Sequence, residues 1–160
     1  MEVRTARAGD AGAIARVQVE SWRAAYRGLI ADDVLDGLSV EDRTAVWAGA
    51  LAAPAAHLDV TEVGGEVVGF VAVSPGMLHA LYTLPSVWGT GVGLALHDGG
   101  VERIRAGGAE GAELSVLEGN ARAVRFYLRE GWVLGEAGTE TVMGGLVLPV
   151  RRMHLALSPR

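Results

Sequence analysis

Residues 77–132 decide the fold. They read, in chain order, MLHALYTLP (77–85), WGTGVG (88–93), AELSVL (112–117) and GNARAVRFYLREGW (119–132). An apolar strand, a glycine-rich turn, a helix, a second strand and a second helix form a βαβ unit with a further helix. Such a unit favours parallel strands and a right-handed crossover.

The glycine-rich turn predicts an anion site. Gly91 and Gly93 have no Cβ, so a ligand can approach the backbone, and the helix N-terminus adds free N–H groups and a partial positive charge. No lysine or arginine lies between Leu84 and Val101. We therefore expect main-chain donors to hold a pyrophosphate here. The alternative is purely structural, because glycines also let a helix start tightly after a strand. The predicted phosphate site comprises Gly89, Thr90, Gly91, Val92, Gly93 and Leu94.

The rest of the chain predicts helices, a hairpin and further strands around this unit. A strand at 2–6 precedes a helix capped by Asp10, and Ser39 caps a second helix. Two β-rich runs flank Gly64-Gly65, which indicates a hairpin. The last strand, 146–157, contains Pro149, which predicts an interruption.

Composition limits the function classes. The 160 residues are 50% hydrophobic and 21% charged, which indicates one folded domain over 1–160. The start of the chain lacks an apolar signal core, and no run approaches the roughly 18 apolar residues of a membrane span, so we expect a cytoplasmic protein without a membrane partner. A net charge of −5 without a basic run argues against nucleic acid. The chain has no cysteine and no lysine, which removes thiolate and Schiff-base chemistry.

Two motifs, LYTLPSVWGTGVG and GNARAVRFYLREGW, carry a resemblance to the GCN5-related N-acetyltransferase (GNAT) family. The resemblance extends over nearly the whole chain, and SWRAAYRGLI at 21–30 is similar to a bacterial branch. It implies an α/β fold: a mixed, mostly antiparallel central sheet with a splayed parallel strand pair and helices on both faces. One departure is Trp88, because the family's loop usually begins with glutamine or arginine.

The resemblance also implies a cosubstrate and roles for individual residues. Acetyl-CoA would lie between the splayed strands, with no metal. Its diphosphate would bind the 89–94 turn, and Tyr127 would protonate the leaving thiolate. The pantetheine arm and acetyl group would contact Leu81, Tyr82, Thr83, Asn120 and Ala123.

The sequence alone does not identify the general base. His79 and Glu118 are candidates, and a base acting through water, or none, is an equal alternative. A hydrogen-bonded strand histidine and a solvated carboxylate are the structural explanations of these two residues.

The acceptor is the least defined part of the predicted reaction. Trp22 and Tyr26 could line its site, although burial in the core explains both more simply. We expect an N-acetyltransferase acting on a primary amine of a metabolite, an antibiotic or a protein N-terminus, with homodimers common among relatives. The alternatives are a non-catalytic acyl-CoA sensor and a nucleotide-phosphate-binding protein of another class.

Overall fold

A computed structural model describes residues 1–158. It contains a seven-stranded sheet and five α-helices. The strands are β1 (Glu2–Thr5), β2 (His57–Val63), β3 (Glu66–Ser74), β4 (Met77–Thr83), β5 (Gly111–Leu117), β6 (Val133–Val142) and β7 (Leu146–Ala156). The helices are α1 (Ala11–Ala25), α2 (Asp32–Asp36), α3 (Val40–Ala52), α4 (Val92–Ala106) and α5 (Ala121–Arg129). No helix in this part of the chain is long and apolar enough to cross a membrane.

The sheet is antiparallel except at its centre. Its strand order is β1-β2-β3-β4-β5-β7-β6, and only β4 and β5 run parallel. These two strands pair at the single position Met77/Glu113 and then separate. The predicted splayed pair within a mostly antiparallel sheet is therefore confirmed.

Helices cover both faces of the sheet. On one face α3 packs on β3, where the rings of Trp47 and Phe70 lie 5.1 Å apart. On the other face α4 lies so close that a Cβ on Gly100 would stand 3.1 Å from Val71 Cγ2 and 3.2 Å from Val73 Cγ1. The predicted layering is confirmed.

Two local predictions are wrong in detail. The last strand continues through Pro149, which pairs with Thr139 on one side and accepts a hydrogen bond from the Glu118 amide on the other. Asp10 precedes α1 but does not cap it. Its carboxylate instead accepts hydrogen bonds from the Arg7 amide at 2.7 Å and from Arg4 at 2.8 Å, so an ion pair replaces the expected cap.

A β-bulge interrupts β4 at His79. Ala72 pairs with Ala80, but the next residue of β3, Val73, pairs with Leu78, so His79 is the extra residue. A bulge changes the direction of the strand locally and re-aims the side chains beside it. This bulge lies where β4 leaves β5.

The glycine pair in α4 gives a stability prediction. A Cβ on Gly99 meets no atom within 4 Å, whereas one on Gly100 meets two β-branched side chains. Helix propensity favours alanine over glycine by about 1 kcal/mol. We expect Gly99→Ala to raise the free energy of unfolding by up to about 1 kcal/mol, and Gly100→Ala to lower it by about 1 kcal/mol or more because the added methyl overpacks the site. Urea denaturation of both variants measures the difference, and equal stabilisation would contradict the close packing of α4.

Candidate active site

The separation of β4 and β5 opens a cavity of about 120 Å³, which we call the splay cleft. Both strands, α5 and the end of α1 contribute its walls. The lining residues are Ser21, Ala25, Tyr26, Leu78, His79, Ala80, Leu81, Tyr82, Thr83, Gly93, Leu114, Ser115, Val116, Asn120, Arg122, Ala123, Phe126 and Tyr127.

A second cavity of about 440 Å³ lies on the face covered by α1 and α3, and we call it the helix-side cavity. Its walls are mostly apolar and include the half-buried indole of Trp47. Five residues line both cavities: Tyr26, His79, Ala80, Tyr82 and Ser115. The two cavities therefore adjoin each other where the strands part.

The glycine turn has the geometry of an anion cradle. Gly89 and Gly91 adopt φ values of 77° and 93°, which favour glycine, and Gly91 immediately precedes α4. The amides of Val92, Gly93 and Leu94 occupy the first turn, where a helix provides no carbonyl partner. Gly93 also lines the splay cleft. Thr90 directs its hydroxyl to the Val87 carbonyl at 2.5 Å, so it stabilises the turn.

A cationic side chain stands beside this turn. The guanidinium of Arg122 lies 3.6 Å from the centroid of the Trp88 ring, and the Trp88 indole donates to the Thr83 carbonyl at 3.1 Å. Arg122 also lines the splay cleft, where burial lowers its pKa below the ordinary arginine value. The expectation of mainly main-chain donors counted only basic residues that are near the turn in the sequence. Arg122 is 34 positions from Trp88, and only the fold brings them together.

All three tyrosines of the chain line the splay cleft. Burial raises the pKa of Tyr26, Tyr82 and Tyr127 above the ordinary tyrosine value. All three phenols are therefore protonated at neutral pH and can donate a proton or a hydrogen bond. Since the folded-state pKa values are raised, the stability from burying these phenols is complete below pH 10 and falls as the pH rises through those values.

The position of Tyr127 is fixed by aromatic packing. Its ring centroid lies 5.8 Å from Trp132 and 6.3 Å from His97, and the Trp132 indole donates to His97 Nε2 at 2.9 Å. The hydroxyl of Tyr127 has no hydrogen-bond partner within residues 1–158. It is therefore held against the cleft with its donor free. The sequence analysis did not single out His97, because a histidine inside a helix carries no positional signal.

The other predicted cosubstrate residues lie together. Leu81, Tyr82, Thr83, Asn120 and Ala123 all line the splay cleft. Asn120 also caps α5, since its Oδ1 accepts from the Ala123 amide at 3.3 Å.

The two candidate bases lie in different places. His79 is exposed, lines both cavities and has its Nε2 2.6 Å from Ser74 Oγ. Glu118 is exposed and lines neither cavity. Glu140, which the sequence analysis did not consider, lines the helix-side cavity, and its Oε1 lies 3.4 Å from Arg152 Nη1. It was missed because the register of β6 against β7 brings it there.

The predicted acceptor residues both line the helix-side cavity, and each is also buried. Trp22 is 5% exposed and Tyr26 is 7% exposed. Their rings lie 4.9 Å apart, edge to face. Both the binding role and the core role therefore fit the same positions.

Two groups of side chains lie close enough together to hold a metal ion. They are His97 with Asp98 and Glu130, and His154 with Glu113 and Glu136. In the first group the Trp132 indole already occupies His97 Nε2, and Nδ1 lies 2.9 Å from Asp98. Neither group includes a residue that lines the splay cleft.

Comparison with known proteins decides the family. Residues 18–132 match the acetyltransferase (GNAT) family. The chain belongs to that family. It is thus an acyltransferase of the GNAT type, and the resemblance inferred from the two motifs is confirmed. It is 32% identical over 154 residues to an uncharacterized N-acetyltransferase of the archaeon Archaeoglobus fulgidus, covering 86% of this chain and 97% of that protein.

Solved GNAT structures share the fold. A GCN5-related N-acetyltransferase from Rhodopseudomonas palustris superposes with a TM-score of 0.84 at 23% identity, covering 98% of this chain and 95% of that one. The PaiA N-acetyltransferase of Thermoplasma acidophilum, solved with coenzyme A, gives 0.74 at 18% identity and 98% coverage of both chains. YncA of Salmonella typhimurium, an acetyltransferase solved with acetyl-CoA, gives 0.72 at 20% identity, covering 100% of this chain and 95% of that one.

Proposed function

We propose that this GNAT enzyme transfers the acetyl group of acetyl-CoA to a primary amine by direct attack. The observation that carries the proposal is the junction of two cavities at the parted strands. One cavity leads to an anion cradle and a free phenol, and the other leads to an apolar chamber on the opposite face. A ternary complex in which amine and thioester meet at the junction follows from this arrangement.

Acetyl-CoA binds the splay cleft in this proposal. The first-turn amides of α4 and the Arg122 guanidinium hold its diphosphate, because anions are favoured at a helix N-terminus and beside a cation. The pantetheine arm follows β4 past Leu81 and Thr83 towards Asn120 and Ala123. The complexes of PaiA with coenzyme A and of YncA with acetyl-CoA support this choice of cosubstrate.

The reaction joins the amine nitrogen to the acetyl carbon and breaks the carbon–sulfur bond. The attacking nitrogen must first lose an ammonium proton, and His79 at the junction takes it, since imidazole exchanges protons near neutral pH. Main-chain N–H groups of β4 beside the bulge stabilise the developing oxyanion. Tyr127 then donates its phenolic proton to the leaving thiolate, and the second proton lost by the attacking nitrogen returns to the phenolate. Positioning of the two substrates supplies much of the remaining acceleration.

Ligand-dependent unfolding and product detection test this function. Acetyl-CoA at about 100 times its dissociation constant should stabilise the protein by about 2.7 kcal/mol, whereas ATP and NAD should not. A panel of primary amines incubated with acetyl-CoA should then give at least one product heavier by one acetyl group. Stabilisation by ATP or NAD but not by coenzyme A would contradict the proposal. Stabilisation by acetyl-CoA without any acetylated product would favour a sensor.

A further inference from the structure

The helix-side cavity is bordered by hydrogen-bond donors that have no partner within the described residues, 1–158. Trp22 Nε1 is buried and has no hydrogen-bond partner within residues 1–158. The Trp22 indole lies close enough to the Tyr82 phenol to offset part of the rise in the Tyr82 pKa that burial causes, but it forms no well-aligned hydrogen bond with it. A buried donor without an acceptor is costly, so its retention points to an acceptor brought by a ligand.

Gln18 and Arg43 extend this set of donors. Gln18 Oε1 accepts from Arg43 Nε at 3.0 Å and from Trp47 Nε1 at 2.8 Å. Because both neighbours are donors, the carbonyl oxygen of Gln18 must face them, and its amide NH₂ is left free. The two Nη groups of Arg43 also have no partner in the described chain. All of these donors border one cavity.

The positive charge of Arg43 is uncompensated. No carboxylate within residues 1–158 forms an ion pair with it, and burial alone lowers its pKa below the ordinary arginine value. A half-buried guanidinium gains most from a carboxylate that can bind its fork in two places. The donor set therefore favours an anionic oxygen group.

The far end of the cavity is where the chemistry occurs. Gln18, Trp22 and Tyr26 follow one another at intervals of four residues along one face of α1 and its C-terminal end, and Tyr26 reaches the splay cleft. Eight helical residues span about 12 Å. His79 lies at the splay end. Glu140 is the one carboxylate among the described lining residues, and Arg152 links it to Ser115 at that end. An ammonium group suits that end, and an anion suits the other.

We propose that the acceptor is a small zwitterion, an amino acid or a dipeptide. Its primary amine lies at the parted strands, and its carboxylate is bound by Arg43 and Gln18 at the other end of the cavity. Its apolar body lies against the Trp47 wall of the cavity. This assignment rests on the proposed acetyl transfer and names the acceptor class for it.

Paired acceptors test the assignment. We would compare 6-aminohexanoate with hexylamine, L-phenylalanine with phenethylamine, and L-leucyl-L-phenylalanine with its C-terminal amide. In at least one pair the carboxylate compound should have a kcat/KM at least tenfold higher. In Arg43→Gln the ratio of kcat/KM between the two members of that pair should fall towards one, mainly because KM for the carboxylate compound rises. The Kd for acetyl-CoA should stay within twofold of wild type. Arg16→Gln removes an exposed cation of α1 that lines neither cavity, and it should keep the wild-type ratio.

Binding measured without turnover separates the two proposals. With coenzyme A present, the carboxylate member of the preferred pair should raise the Tm of wild type but not of Arg43→Gln. If acetylated amines form but neither turnover nor binding distinguishes the members of any pair, the zwitterion assignment is wrong and acetyl transfer stands. If acetyl-CoA itself fails to bind, the proposed function is wrong.

Discussion

Replacing Tyr127 by phenylalanine lowers kcat for acetyl transfer by about 10²-fold or more if this phenol protonates the leaving thiolate, since a positioned general acid contributes 10²–10⁴-fold. Burial raises the pKa of Tyr127, so the proton is present throughout the neutral range. For the same reason the wild-type rate should not decline through loss of this proton below pH 10. Steady-state kinetics with the best amine of the panel measures the effect.

Tyr127→Phe should leave the stability of the protein and its affinity for acetyl-CoA nearly unchanged. The Tyr127 hydroxyl has no protein partner within residues 1–158, so phenylalanine removes no internal hydrogen bond and the ring packing is retained. The Tm should therefore stay close to wild type. The Kd for acetyl-CoA should change by less than about threefold, because the substitution removes at most one weak, uncharged hydrogen bond from the Tyr127 hydroxyl to the thioester. A kcat equal to wild type would remove Tyr127 from the reaction.

Introducing a carboxylate at Gly91 should abolish most of the affinity for acetyl-CoA. Gly91 precedes α4 with a φ of 93°, and open space surrounds the position of a Cβ there. Gly91→Asp puts a negative charge at the position proposed for the diphosphate. Like charges about 4 Å apart at an effective dielectric constant of 20 repel by several kcal/mol, so we expect Kd to rise by about 10²-fold.

The matched control is Gly91→Asn. Asparagine and aspartate tolerate the left-handed region to a similar degree, so both variants bear the same backbone strain. Titration calorimetry should show a Kd for Gly91→Asn at least tenfold below that for Gly91→Asp. Added salt should bring the two Kd values closer together, because it screens exposed charges. Equal affinities would place the diphosphate away from this turn.

The fold could be predicted from the sequence because its decisive features are local. The glycine turn before α4, the Gly64-Gly65 hairpin and the Ser39 cap are each determined by a few adjacent residues. Ser39 Oγ accepts from the Asp42 amide at 3.1 Å, as the capping pattern predicts. The predicted interruption at Pro149 was wrong because proline lacks only the donor: its carbonyl still accepts a hydrogen bond from the amide of Glu118, just after β5, and β6 still pairs with it at Thr139.

The candidate site could be predicted only where its residues belong to one motif. The proposed roles of the turn, Asn120 and Tyr127 follow from two contiguous stretches. Arg122 on Trp88, Arg43 on Gln18 and the entry of Glu140 into the helix-side cavity are contacts between distant elements. Helix packing and strand register create them, and no spacing in the sequence encodes them.

The most direct test of the proposed acetyl-CoA site is a crystal structure of the protein with acetyl-CoA. We expect the diphosphate to bind the amides of Val92, Gly93 and Leu94, with Arg122 beside it. We also expect the thioester between β4 and β5 and the Tyr127 hydroxyl within hydrogen-bond distance of the sulfur. A diphosphate bound elsewhere, or a sulfur beyond reach of that hydroxyl, would contradict the proposed site.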